Sequence, residues 1–204
     1  MAFEELGIPY EPVRVVIAEG QNQTPAYLAI NPRGRVPTLA ISDHAAPGDE
    51  AKEQILTELS AILIYLAKTY PAANLLPQDN LPFVRAMEWM SWLGSTMHTG
   101  GVRTVLRPDR FVSDPAAADA VKARGMKSVL AGYADIESRL AGRPWALGEH
   151  YSVVDMCLLV FYCWGKRIGL TMRQAYPNHA RIMDAARARP AVQGAIAHEG
   201  ITIE

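Results

Sequence analysis

Of the five histidines in this 204-residue chain, His98 has the neighbours that proton chemistry needs. On a helix starting near Phe83 it lies seven residues after Ser91 and three after Ser95, so the three side chains share a face. A histidine so placed can donate, accept or relay a proton near neutral pH; the plainer alternative is a packed or surface histidine. A second candidate is the helix start after Thr57, at Glu58, Leu59 and Ser60. Its first N–H groups have no intrahelical partner, and the positive end of the helix dipole lies there, which suits a carboxylate. Cys157 and Cys163 both fall in an apolar stretch and read as buried thiols, without a disulfide framework or a zinc site.

The elements that must position these residues fall into two parts. Ala2 to Leu6 reads as the last turn of a helix stopped by Gly7 and Pro9. Tyr10 to Ile17 is β-branched and partly alternating, which predicts a strand. Thr24-Pro25 opens a short helical turn through Ile30, and Asn31-Pro32-Arg33-Gly34-Arg35 is a turn cluster. Val36-Pro37, on its own an edge-strand start, leads into a strand at Thr38 to Ser42. The polar stretch Asp43 to Lys52 separates it from a third strand, Glu53 to Thr57, as in a hairpin with a long loop. Leu59, Ile62, Leu63, Leu66 and Ala67 then recur at helical spacing up to Tyr70-Pro71.

A proline-rich, polar stretch follows and reads as a linker over 72–82, between an α/β domain at 1–71 and an all-helical one at 83–204. In the second part, helices are expected from Phe83 to Leu106, from Asp114-Pro115 to Leu140, after the capping box Ser152-Val153-Val154-Asp155, from an Asn178 cap to Arg189, and from Pro190 through Ile196. Trp89, Trp92 and Met97 read as packing residues on the first of these.

Composition narrows the function classes. Twenty basic residues against 21 acidic ones leave a formal charge of −1, too balanced for a nucleic-acid or anionic-membrane binder held by net charge. The largely apolar stretch Val153 to Trp164 holds Asp155 and is followed by Gly165, Lys166 and Arg167, short of the ~20 residues that span a membrane. With no basic n-region ahead of an apolar core near Met1, a cytoplasmic location is expected.

Four stretches in order resemble the glutathione S-transferase superfamily: Asn31-Pro32-Arg33-Gly34-Arg35-Val36-Pro37-Thr38-Leu39, Leu56-Thr57-Glu58-Leu59-Ser60-Ala61-Ile62, the box Tyr151 to Asp155, and Arg189-Pro190-Ala191-Val192-Gln193. Glu88-Trp89-Met90-Ser91-Trp92-Leu93-Gly94-Ser95-Thr96-Met97-His98 is similar to a segment of the bacterial beta class. The resemblance implies a thioredoxin-like N-terminal domain, here incomplete, followed by an all-helical domain. It implies glutathione as co-substrate, a small electrophile as acceptor, a cleft between the domains and a homodimer; from the residues themselves no metal site is expected.

The resemblance also assigns roles. A cis Pro37 would present the N–H and C=O of Val36 to the cysteinyl backbone of glutathione by strand addition. The γ-glutamyl carboxylate would lie at the helix start of Leu59 and Ser60, with Glu58 receiving the amino group. Ser91, Ser95 and His98 would face the sulfur, with the Ser91 position across the dimer interface and His98 in the catalytic role. Trp164 matches a helical-domain tryptophan of the beta class, as core or cleft wall.

Two departures stand out. Leu59 occupies a position where serine is usual, and no Lys or Arg occurs between Arg14 and Arg33, where the beta class often has a basic residue. Both predict weakened glutathione binding, or a changed thiol ligand. The chain also opens at what resembles the close of the family's first helix. A strand and most of that helix, roughly 15–20 residues carrying the thiol-activating Tyr, Ser or Cys, precede this point in relatives. The expectation is that they lie upstream of Met1, the alternative being a remodelled domain. Two functions follow: thiol transfer to an electrophile, including related isomerase or dehalogenase chemistry, or a non-catalytic binding or structural protein of the same fold.

Overall fold

The computed structural model describes residues 1–42 and 53–202. Its chain divides into two compact units, Ile8–Tyr70 and a second that joins Met1–Gly7 to everything from Pro71 onward.

In the first unit, the strand expected over Tyr10–Ile17 does not form. A strand exists by pairing, and among the described residues the only sheet is a two-stranded hairpin that leaves this segment without a ladder partner. Val13 is 77% exposed, the Val16 N–H turns to Gln21 Oε1 at 2.8 Å, and 3-10 turns follow at Ile17–Glu19 and Gln21–Gln23. Helix α2 (Pro25–Ile30) begins as expected, with Pro25 in its first turn and the Thr24 hydroxyl accepting the Tyr27 N–H.

Strands β1 (Thr38–Ser42) and β2 (Glu53–Thr57) pair antiparallel in the register Thr38↔Thr57 to Ser42↔Glu53. The loop expected over Asp43–Lys52 lies outside the described residues. Helix α3 (Leu59–Thr69) buries Ile62, Leu63, Leu66 and Ala67, the spacing read from sequence. Leu59 breaks that pattern and is 47% exposed, because the first helical position projects beyond the buried stripe.

The second unit starts with α1 (Ala2–Leu6), closed by Gly7 in the left-handed region at φ 61°. The stretch read as a linker packs onto this unit. Leu75 and Leu76 are buried, the Leu75 carbonyl accepts the Val153 N–H at 3.1 Å, and α4 (Asn80–Trp92) starts three residues before Phe83. Helix α4 runs without a break through a π-helical segment, Leu93–Val102, into α5 (Arg103–Leu106). The long helix α6 (Pro115–Leu140) is capped by Asp114, whose Oδ1 accepts the Ala116 N–H at 2.9 Å. Gly125 and Gly132 let α6 approach this run closely: a Cβ at Gly125 would meet Thr104 Cβ at 2.8 Å, and one at Gly132 would overlap the Met97 sulfur.

Helix α7 (Val153–Arg167) is the centre of the unit, with every residue from Val153 to Leu159 buried. Its capping box forms as expected: the Ser152 hydroxyl accepts the Val154 N–H, and Asp155 accepts the Ser152 N–H at 2.9 Å and the Ala146 N–H at 2.8 Å.

A short α8 (Met172–Ala175), not anticipated from sequence, precedes α9 (Pro177–Arg187). Asn178 does not cap α9, which begins one residue earlier. The Glu137 carboxylate on α6 fills that role, accepting the N–H groups of Asn178 and His179 at 2.8 and 3.0 Å. Helix α10 (Pro190–Glu199) ends at Gly200. It holds α1: Arg189, its N-cap, donates to both carboxylate oxygens of Glu5 at 2.6 and 2.7 Å. Among the described residues no helix is long and apolar enough to cross a membrane.

Candidate functional site

The hairpin register brings two sequence-predicted segments together. Thr38 pairs with Thr57, so Val36-Pro37 and Glu58-Leu59 flank the same end of the ladder. The turn that delivers Val36 is tightly fixed. Asn31, buried, donates from Nδ2 to the Arg35 carbonyl at 2.7 Å and accepts the Arg33 N–H at 3.1 Å. Tyr27 donates its hydroxyl to the same Arg35 carbonyl at 2.6 Å, and Asn22 Nδ2 holds the Gly34 carbonyl at 2.7 Å. Gly34 sits at φ 59°, and a Cβ there would run into Gln23 and lie 2.9 Å from the Asn22 carbonyl oxygen. The Val36-Pro37 peptide is cis, as the resemblance implies, and Val36 is 39% exposed.

Across the ladder, Glu58 holds φ 69°, ψ 120°, a conformation that costs a non-glycine residue roughly 1–3 kcal/mol. It is the residue before α3, and its side chain makes no capping bond to that helix. The first α3 N–H groups therefore have no cap from this side chain. Arg33 reaches the same corner, donating from Nη1 to Thr57 Oγ1 at 3.2 Å, with Glu58 Oε1 3.9 Å away. Ser60 is half-buried one position beyond Leu59.

On the helical unit, Ser91 closes α4 and Ser95 and His98 lie in the π-helical segment. Ser91 and Ser95 are exposed and joined by the Ser95 hydroxyl donating to the Ser91 carbonyl at 2.7 Å. The shared face expected for all three does not survive. A π-helix closes its bonds at i→i+5, so each turn takes in an extra residue, and positions three and seven apart fall out of line. His98 turns instead onto Trp164 of α7, ring centroids 5.1 Å apart and 22° from parallel, with Phe161 edge-on to the same indole at 5.0 Å. Trp164 is half-buried and serves as the wall of this stack.

Trp89 and Met97 are buried, as packing residues should be. Trp89 and Trp92 also line a cleft of about 820 Å³ that includes none of the predicted site residues. The Arg139 guanidinium covers the Trp89 ring at 3.4 Å. Neither cysteine is poised as a nucleophile, because burial pushes the Cys157 thiol up to about 12 and the Cys163 thiol in the same direction.

Sequence reasoning missed the reach of Arg33 and the left-handed Glu58. The first had a signal in the arginine of the turn motif, but the second had none.

A thioredoxin-like half with a cis-proline turn, joined to a helical half with a capped central helix, defines a class of two-domain thiol-handling proteins. Comparison with known proteins makes it specific. Residues 1–69 match the family model described as glutathione S-transferase, N-terminal domain. The chain is 31% identical over 196 residues to glutathione S-transferase GstB of Escherichia coli K12, covering 95% of this chain and 88% of that one. It is similar to the crystal structure of a glutathione transferase homologue from Sulfitobacter with bound glutathione, with TM-score 0.86 and 33% identity over 98% of this chain and 91% of that one. It is also similar to a bacterial beta-class glutathione S-transferase from Sphingomonas chungbukensis, with TM-score 0.79 and 28% identity over 98% and 92%. The chain belongs to the glutathione S-transferase superfamily.

Proposed function

We propose that this chain binds glutathione at the corner formed by Val36-Pro37 and Glu58-Leu59 and transfers its sulfur to a small electrophile. The observation that carries this reading is the β1/β2 register, which sets the partly exposed Val36 beside a helix start that the Glu58 side chain does not cap. Val36 offers its N–H and C=O to the cysteinyl residue, the first N–H groups of α3 take the γ-glutamyl carboxylate, and Glu58 takes the ammonium group. Leu59 supplies no hydroxyl, so the carboxylate is held by backbone donors. Ser60 adds a hydroxyl near them.

Glutathione supplies the nucleophilic sulfur. We assign His98 to the thiol proton, which it accepts or relays to solvent as the sulfur bonds to the electrophilic atom and the leaving group departs with the electron pair. The stack on Trp164 fixes the plane of the imidazole, which is what a proton carrier requires. Ser91 and Ser95, out of line with His98, are assigned to binding. The acting form is a homodimer in the cytoplasm, a setting that suits two free thiols. The transferase names of its relatives support transfer over the reading as a non-catalytic module.

Retention on glutathione-agarose together with turnover of a chloronitrobenzene tests the reading. Absence of both overturns it, and calorimetric glutathione binding without turnover favours the non-catalytic reading. His98→Phe, which keeps a ring on Trp164 but removes the proton carrier, should lower turnover at least tenfold with the melting temperature unchanged. An unchanged rate removes His98 from the mechanism.

A further inference from the structure

We infer that Arg33 recognises the γ-glutamyl α-carboxylate of glutathione, forming with Glu58 a matched pair of charges for the amino-acid end of the ligand. The inference rests on the proposed function and adds to it a side chain that determines which thiol is bound.

Arg33 and Glu58 are poorly satisfied by each other. Their closest approach, 3.9 Å, is beyond a hydrogen bond, and their side chains are 66% and 67% exposed. Of the five N–H groups on a guanidinium, Arg33 turns Nη1 toward Thr57 Oγ1 among the described residues. The two charges are nonetheless anchored side by side through independent parts of the fold. The Asn31 side chain fixes the Arg33 backbone, and Glu58 is set by its left-handed backbone at the end of β2.

An α-amino acid carries an ammonium group and a carboxylate on one carbon, so it presents opposite charges as close neighbours. A carboxylate and a guanidinium held at the same spacing complement it, ammonium on Glu58 and carboxylate on Arg33. The cation is needed for a Coulombic reason. A ligand carboxylate brought to α3 meets the Glu58 carboxylate, and like charges at short range oppose binding unless a positive group intervenes. No Lys or Arg occurs between Arg14 and Arg33, so the charge must come from the turn itself. Of its two arginines, Arg33 is the one with a contact to the Glu58 corner. A planar fork also suits a carboxylate better than an ammonium would.

The test is calorimetric, on the full chain and its variants Arg33→Gln and Arg33→Lys, with two ligands: glutathione, and γ-aminobutyryl-cysteinyl-glycine, which retains the amino group but lacks the α-carboxylate. Arg33→Gln should raise the glutathione Kd about tenfold and leave the Kd for the analogue unchanged, with Arg33→Lys between the two. In turnover the same loss should appear in KM for glutathione and not in kcat. Equal losses for both ligands would mean that Arg33 only shapes the corner, and an unchanged glutathione Kd would mean that it does not touch the ligand; either overturns the assignment. Failure of the unaltered chain to bind glutathione overturns the proposed function, and this assignment with it.

Discussion

Replacing Arg189 with alanine should destabilise the helical unit more than removing its partner does. The pair is bidentate, with Nε to Oε1 at 2.6 Å and Nη2 to Oε2 at 2.7 Å, but the two side chains stand in different surroundings: Glu5 is 7% exposed and Arg189 35%. Arg189→Ala strands a nearly buried carboxylate. Breaking a fully buried pair this way costs about 3–5 kcal/mol. Water entering where the partly exposed arginine stood reduces that to about 2–3 kcal/mol. The guanidinium also lies 4.1 Å over the Tyr151 ring, and losing that contact adds about 0.5–1 kcal/mol. A total near 3 kcal/mol corresponds to a melting temperature lower by about 6–12 °C for a unit of this size. Glu5→Ala leaves an arginine that can turn to solvent and should cost about 1 kcal/mol. The double variant should be more stable than Arg189→Ala alone, because no charge is then left buried. All four tryptophans, Trp89, Trp92, Trp145 and Trp164, belong to the helical unit, so their fluorescence in urea titrations reads it selectively. Equal losses from the two single variants, or a double variant that costs their sum, would refute the reasoning.

Two further outcomes are expected. Glu58→Gly and Glu58→Ala should both weaken glutathione binding, but the glycine variant should be more stable by about 1 kcal/mol in denaturant titration, since only alanine still opposes φ 69°. Acid stability should be a contest between two buried groups. Burial lowers His179 to about 4, so the unfolded chain takes up that proton first and stability falls by about 3 kcal/mol as pH drops from 6.5 to 4. Burial raises Asp155 to about 6, so the folded chain takes up that proton first and stability rises by a similar amount as pH drops from 6 to 3.8. The unaltered chain should therefore change little between pH 6 and 4, His179→Gln should become more stable on acidification, and Asp155→Asn less, as read by unfolding midpoints across that range.

Much of the fold was legible because its signals are local. The Ser152 box, the Asp114 cap, the prolines opening α6 and α10 and the β1/β2 hairpin each depend on residues close in sequence. The errors came from partners distant in sequence. Tyr10–Ile17 has strand composition, but strands form by pairing, and composition does not supply the neighbour. The start of α9 was misplaced because its cap, Glu137, lies about 40 residues away on α6. The polar residues between Pro71 and Pro82 obscured Leu75 and Leu76, whose burial is a tertiary event. At the candidate site, the segment containing Val36 and the helix start after Glu58 were readable from motifs. The alignment of His98 with Ser91 and Ser95 was not, because it assumed an α-helical period where the chain adopts a π-helical one.

The tie between α1 and α10 also sets an order of assembly. Glu5 and Arg189 are 184 positions apart, so during synthesis α1 waits for that length of chain before its partner exists. A five-residue helix has no stability of its own in water. Its formation is therefore a late step that closes a loop of 184 positions, and loop closure of this kind slows folding rather than weakening the finished structure. Helix α1 is therefore made long before it is secured, and a chain truncated before Arg189 would release it.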